Sequence, residues 1–125
     1  MIGKICSAST PYYDAVRKVK SIKSRPALVI AGPRNNDYTI LPISKISKKE
    51  YVDSEYDIPI SKEEYPKLNL NHDSYIRVHK QTTVHKNSAT RIIADLKGEY
   101  EELFIYVLEK LEKYNKEVLD NALNN

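Results

Sequence analysis

The apolar residues of this chain change their spacing near Gly98, and this change divides the sequence into two parts. After Gly98, apolar side chains recur every three or four residues, at Tyr100, Leu103, Phe104, Val107, Leu108, Leu111, Tyr114 and Val118. Such spacing places them on one face of a helix, and the acidic residues at its start complement the helix dipole. The sequence therefore predicts one long amphipathic helix over about residues 98–120.

Before Gly98, short apolar segments alternate with turn residues, which is typical of β-strands. Residues 26–31 form an apolar run, and residues 38–44 return after the turn residues at 32–37, which predicts a hairpin. Further strands are predicted at residues 2–6, 56–60, 75–84 and 91–94. Pro42 and Pro59 lack the N–H that a sheet ladder needs, so they indicate an edge, a bulge or a corner. Strands and helix together predict an α+β fold that is mainly β.

Residues 7–24 show no clear period, which predicts a long loop between the first two strands. The segment interleaves two aromatic residues with four cations, namely Tyr12, Tyr13, Arg17, Lys18, Lys20 and Lys23. Aromatic rings can stack on the bases of a single-stranded nucleic acid while cations contact its phosphates. The segment is thus either a binding loop or a mobile loop exposed to solvent.

Length and composition narrow the class of protein. A chain of 125 residues with 41% hydrophobic and 30% charged residues fits one globular domain over residues 1–125. No apolar run approaches the ~20 residues of a membrane span, and the N-terminus lacks the pattern of a secretory signal, so we expect a cytoplasmic protein. The single Cys6 excludes an internal disulfide and a Cys-rich zinc site. No metal or other cofactor is expected.

Charge is distributed unevenly along the chain. Residues 1–50 carry ten basic and three acidic residues, whereas residues 96–125 carry four basic and seven acidic ones. The segment 74–93 contains Arg77, Lys80, Lys86 and Arg91, two histidines and no carboxylate. Clustered cations favour a polyanionic partner, although a solvated surface of a lysine-rich protein would look the same in sequence.

Several local strings occur in an order that points to a known family. They are Gly3-Lys4-Ile5, residues 24–30 with Arg25-Pro26, residues 40–44, residues 57–60, residues 73–76, residues 80–86 and residues 94–96. Over about residues 3–119 this order resembles the PemK/MazF family of toxin endoribonucleases from toxin–antitoxin systems. The resemblance implies an SH3-like antiparallel barrel with helices, a homodimer, and metal-independent cleavage of single-stranded RNA of the mRNA interferase type. It also implies neutralisation by an antitoxin, which we expect to present an acidic segment.

The resemblance implies catalytic roles for Arg25 and Ser44, and Thr83, which matches a further position of the family pattern, is the third catalytic candidate. A guanidinium such as that of Arg25 can stabilise the charge that develops on a phosphorane. The chain departs from the pattern at two positions, because Lys80 stands where Gln is common and Thr82 where Arg is common. The missing cation leaves four candidates to replace it, namely Arg77, His79, Lys80 and His85. A histidine could also serve as general acid or base, since its unperturbed pKa of ~6.5 is near neutrality.

The candidate RNA-binding residues come from the basic segments and from the strand that departs from the family pattern. They are Tyr12, Tyr13, Lys18, Lys20, Lys23, Arg77, Lys80, Gln81, Thr82 and Lys86. For each candidate, including Arg25 as a strand-edge cation and Ser44 as a strand-end residue, an ordinary surface role is the alternative. The competing function is a non-catalytic SH3-like module that binds RNA or a peptide. A duplex-DNA regulator ranks last, because no helix-turn-helix pattern is present and the long helix is acidic.

Overall fold

The computed structural model describes the backbone of residues 1–125 and all side chains except those of residues 11–13. Seven strands precede two helices: β1 Lys4–Asp14, β2 Val19–Arg34, β3 Asp37–Ser44, β4 Asp57–Ile60, β5 Ser74–Arg77, β6 Thr82–His85, β7 Ala89–Asp95, α1 Leu96–Glu99 and α2 Glu101–Asn124. Short 3-10 turns lie at Lys49–Tyr51, Pro66–Leu68, Val78–Lys80 and Lys86–Ser88.

All strand pairs are antiparallel, and β3 is the strand on which the sheet branches. The strand order is β4-β5-β3-β2-β1-β7, with β6 pairing separately with β3. One end of β3 pairs with β5 and the other end with β6. The predicted mainly antiparallel fold with a C-terminal helix is confirmed. The expected SH3-like barrel is not confirmed, because no ladder joins β4 to β7 in the described backbone and the sheet is not closed.

Residues 7–24, predicted as a long loop, instead form most of the β1/β2 hairpin. The register runs from Ile5 opposite Leu28 to Asp14 opposite Val19. Its turn is stabilised by Asp14, whose Oδ1 accepts the backbone N–H groups of Val16 and Arg17 at 3.0 Å each. The loop prediction was wrong because the outer half of this hairpin is not covered by the core. Its strands therefore lack the apolar alternation by which a strand is recognised.

The long strand predicted at residues 75–84 is interrupted. Residues after Arg77 make the 3-10 turn Val78–Lys80, and the chain then resumes as β6. The bend is fixed by Val78, whose side chain is fully buried while its N–H donates to the carbonyl of Tyr56 at 3.2 Å. As a result β5 and β6 pair with opposite ends of β3, and residues close in sequence are carried apart.

Apolar side chains are buried on both faces of β2 and β3. The larger cluster lies between the sheet and α2, where Leu28, Ile43 and Ile76 pack with Phe104 and Val107. A smaller cluster on the opposite face consists of Cys6, Ala8, Ala27, Val29, Ile40 and Val84. Burial raises the pKa of the Cys6 thiol, so Cys6 packs as a small apolar residue. Within the described chain, no helix is both long and apolar enough to span a bilayer.

Candidate active site

Arg25 and Ser44 line the same groove although 18 residues separate them in sequence. The β2/β3 ladder ends at Ala27 opposite Pro42, and Arg25 and Ser44 lie two residues beyond this last pair on their strands. Both residues are half-buried, and both line a groove of about 440 Å³. The structure therefore brings together the two positions for which the sequence suggested a catalytic role.

The groove is broader than this pair and is lined by residues from several loops. Its first part is formed by Arg25, Ser44, Lys45, Ile46, Ser47, Lys48, Tyr51 and Arg77. Two hollows adjoin it at Arg25, one reaching Lys23, Asn71 and His72 and the other reaching Ser7, Asn69 and Arg91. We refer to these three parts together as the groove.

Charge in the groove has one sign. The cations that line it are Lys23, Arg25, Lys45, Lys48, Arg77 and Arg91. Among the described residues of its lining, none carries a carboxylate. Cations gathered in a concave surface create a positive potential that attracts an anionic ligand such as a phosphodiester backbone.

Arg77 is held in the groove wall by a buried carboxylate. Its Nε and Nη2 lie 3.0 and 3.3 Å from the two carboxylate oxygens of Asp57, whose side chain is 0% exposed. Asp57 lies directly opposite Arg77 in the β4/β5 ladder and also accepts the N–H of Asp53 at 2.7 Å. The guanidinium is thus fixed at the groove, with hydrogen atoms left for a ligand because Arg has five donors.

The candidates for replacing the cation that the departing strand lacks differ in where they lie. Arg77 lines the same part of the groove as Arg25 and Ser44. Thr82 and Thr83, by contrast, pair with Ile40 and Thr39 toward the other end of β3. Thr39, the partner of Thr83, lies five residues before Ser44 in β3, which corresponds to about 16 Å along the strand. Arg77 is the one of the four replacement candidates that lines the groove within the described residues.

The other replacement candidates lie elsewhere. His79 packs under α2, where its ring meets that of Tyr114 edge-on with centroids 6.4 Å apart. Its buried Nδ1 lies 3.8 Å from the Asp57 carboxylate and has no hydrogen-bond partner among the described residues. His85 accepts the N–H of Asn87 at the far end of β6, and Lys80 is exposed in the Val78–Lys80 turn.

The candidate RNA-binding residues are dispersed. Lys23 and Arg77 line the groove. Lys18 and Lys20 are exposed on the outer part of the β1/β2 hairpin, while Gln81, Thr82 and Lys86 are exposed around β6. The side chains of Tyr12 and Tyr13 lie outside the described part of the structure.

Several groove residues were not among the candidate site residues, although Lys45, Lys48 and Arg91 belong to the basic segments that favoured a polyanionic partner. Tyr51, Lys45 and Lys48 come from the segment between β3 and β4, and Arg91 comes from β7. Behind Tyr51, the Asp53 carboxylate accepts the N–H groups of Tyr56 and Glu55, which lowers its pKa and closes a turn. Loop residues follow no hydrophobic period. The only feature of the sequence that could have suggested a binding role for this segment is the number of cations in it.

Comparison with known proteins agrees with this fold. Residues 5–114 match a family model described as the PemK-like, MazF-like toxin of type II toxin-antitoxin system. Among solved structures, the Mycobacterium tuberculosis toxin MazF-mt6 is similar at 16% sequence identity with a TM-score of 0.64, and the match covers 90% of this chain and 96% of that one. No functionally curated protein matches the chain significantly. At this level of identity the structural likeness shows the fold.

Proposed function

The chain belongs to the PemK-like, MazF-like toxin family of type II toxin–antitoxin systems, and we propose that it is a metal-independent endoribonuclease that cuts single-stranded RNA. The observation that carries this proposal is that Arg25 and Ser44 line one groove together with other cations. The three parts of the groove adjoin at Arg25, and a flexible single strand can lay its phosphates along their basic lining.

The proposed reaction is attack by a ribose 2′-hydroxyl on the adjacent phosphorus. A bond forms between O2′ and phosphorus, the bond between phosphorus and O5′ breaks, and the products are a 2′,3′-cyclic phosphate and a 5′-hydroxyl. One proton leaves the 2′-hydroxyl and one reaches O5′. The guanidinium groups of Arg25 and Arg77 stabilise the negative charge on the phosphorane oxygens, because both are placed in the groove before the substrate arrives.

Ser44 has a supporting role in this proposal. Its hydroxyl can donate a hydrogen bond to a phosphate oxygen beside Arg25, and it can pass a proton toward the leaving oxygen. Thr83, His79, Lys80 and His85 stand farther from this pair along β3 or under α2. We assign Thr83, together with Gln81, Thr82 and Lys86, to contacts with RNA that extends beyond the cleaved phosphate.

The antitoxin in this proposal presents an acidic segment to the same groove. Its carboxylates would take the places of RNA phosphates beside the groove cations, so that antitoxin and RNA exclude each other. The protein would act as a single domain in the cytoplasm and as a homodimer.

Cleavage of a long single-stranded RNA in EDTA tests the proposal. Wild-type protein should cut the RNA, and Arg25→Ala should lower the rate by about 100-fold or more, as loss of one fixed donor to a developing anion does. Arg34→Ala is the matched control, because Arg34 lies on the same strand but is exposed outside the groove. Ser44→Ala should also slow cleavage, with Ser54→Ala as its exposed control.

An inactive wild-type protein would contradict the proposal that the chain is an endoribonuclease. If folded protein that is free of antitoxin leaves several unrelated RNAs intact but still binds them, the chain is the non-catalytic RNA-binding module. The departure at Thr82 is the feature of the sequence that favours this second function.

A further inference from the structure

Tyr51 presents an aromatic ring in the groove that no role accounts for. It ends the turn Lys49–Tyr51, is 63% exposed, and lines the same part of the groove as Arg25 and Ser44. A ring exposed to this extent contributes little to the core, whereas a planar face beside bound RNA is a surface on which a base can stack. We propose that Tyr51 is a stacking platform for a base of the RNA next to the cleaved phosphate, an inference that rests on the proposed function.

The main chain around Tyr51 is fixed on both sides. The N–H of Tyr51 donates to the carbonyl of Lys48 at 3.0 Å, and its carbonyl accepts Nη2 of Arg77 at 3.3 Å. Two residues later, the N–H of Asp53 donates to Asp57, the same buried carboxylate that holds Arg77. One buried carboxylate therefore restrains both the main chain that carries the platform and a cation of the groove. A main chain that is restrained before binding loses little conformational entropy when a base arrives.

The charges around the ring suit a nucleotide. Lys48 Nζ lies over one face of the Tyr51 ring, 5.9 Å from its centroid, so a base would stack on the other face, and Lys45 lines the groove as well. A base stacked on the ring would therefore have cations within reach of its flanking phosphates. Because every base has a π face, this platform contributes to affinity for all sequences and does not by itself select one.

The absence of tryptophan from the sequence makes a direct test available. Tyr51→Trp introduces a single tryptophan at the platform, and Tyr106→Trp introduces one on α2, where Tyr106 is 46% exposed and is not part of the groove lining. The probe is a mixed-sequence RNA 12-mer with 2′-O-methyl groups, which cannot undergo 2′-hydroxyl attack. We expect the fluorescence of Tyr51→Trp to be quenched on addition of the 12-mer and that of Tyr106→Trp to stay unchanged.

Binding of the same 12-mer supplies the second readout. Tyr51→Leu removes the ring and should weaken binding by about 5- to 150-fold, the range that stacking on one base supports. Tyr51→Phe keeps the ring and should bind like wild type. Far-UV circular dichroism of each variant verifies that it is folded, which we expect because the replaced ring is exposed.

The outcomes separate this inference from the proposed function. If wild type cleaves RNA, but Tyr51→Trp shows no quenching and Tyr51→Leu binds like wild type, the platform is refuted and the endoribonuclease stands. If wild type binds the 12-mer without cleaving unmodified RNA, and the ring variants behave as expected, the platform stands and the enzyme is refuted. If wild type neither binds nor cleaves RNA, both fall.

Discussion

Replacing Asp57 by Asn should destabilise the fold by about 3 kcal/mol. The side chain is 0% exposed, and its two oxygens accept three hydrogen bonds, two from Arg77 and one from the N–H of Asp53. Asn keeps one acceptor oxygen but turns an amide donor toward groups that are themselves donors. Removal of one partner of a buried ion pair costs about 3–5 kcal/mol. The Arg77 side chain is 22% exposed, so water partly solvates it, and the lower end of this range applies.

Urea unfolding followed by circular dichroism measures this cost. With a slope of about 1.5 kcal/mol per molar urea, the midpoint of Asp57→Asn should fall by about 2 M. Asp73→Asn is the matched control, because Asp73 accepts the N–H of Lys62 at 2.8 Å on the exposed surface, and its cost should stay below about 1 kcal/mol. A value for Asp57→Asn within about 0.5 kcal/mol of wild type would refute the view that this carboxylate fixes Arg77 and the segment around Tyr51.

Three further predictions concern pH, packing and charge. The N–H of Gly98 donates to the Asp95 carboxylate and lowers its pKa. The stability that this carboxylate adds is therefore present above about pH 4 and is lost as the pH falls through the lowered pKa. The urea midpoints at pH 6 and pH 3 should differ less in Asp95→Asn than in wild type. Phe104→Ala should cost about 3–5 kcal/mol in urea unfolding because Phe104 is 5% exposed, whereas Leu123→Ala on the same helix, 83% exposed, should cost less than about 0.5. Arg91→Ala should reduce the slope of log affinity against log salt for a non-cleavable RNA by about 0.7, and an unchanged slope would remove Arg91 from the RNA contacts.

The parts of the fold that could be predicted are those with a hydrophobic period. Helix α2 and the β2/β3 hairpin each bury a continuous apolar face, so their residue spacing predicted them. The outer β1/β2 hairpin buries no such face, and its strands were mistaken for a loop. The bend after Arg77 depends on the burial of Val78 among residues distant in sequence, which no local pattern reveals.

The residues of the candidate site also include some that could be predicted from the sequence and some that could not. Arg25 and Ser44 were suggested by the family resemblance, and both lie just beyond the end of the β2/β3 ladder and line the same groove. The pairing of Asp57 with Arg77 depends on the register of β4 against β5, which a single sequence does not specify. Tyr51 enters the groove from a loop whose path is set by this buried pair, so its position could not be predicted before the pair was known.

Analysis of the RNA ends tests the central claim most directly, namely that the Arg25–Ser44 groove supports attack by a 2′-hydroxyl. The substrates are an RNA that contains one mapped cleavage site and the same RNA with a single 2′-deoxy nucleotide 5′ to the scissile phosphate. In EDTA, wild type and Arg34→Ala should cut the first RNA to a 2′,3′-cyclic phosphate and a 5′-hydroxyl, and both should leave the second intact at that site. Cleavage of the deoxy-substituted RNA, ends that carry a 5′-phosphate, or full activity of Arg25→Ala would contradict the proposed mechanism.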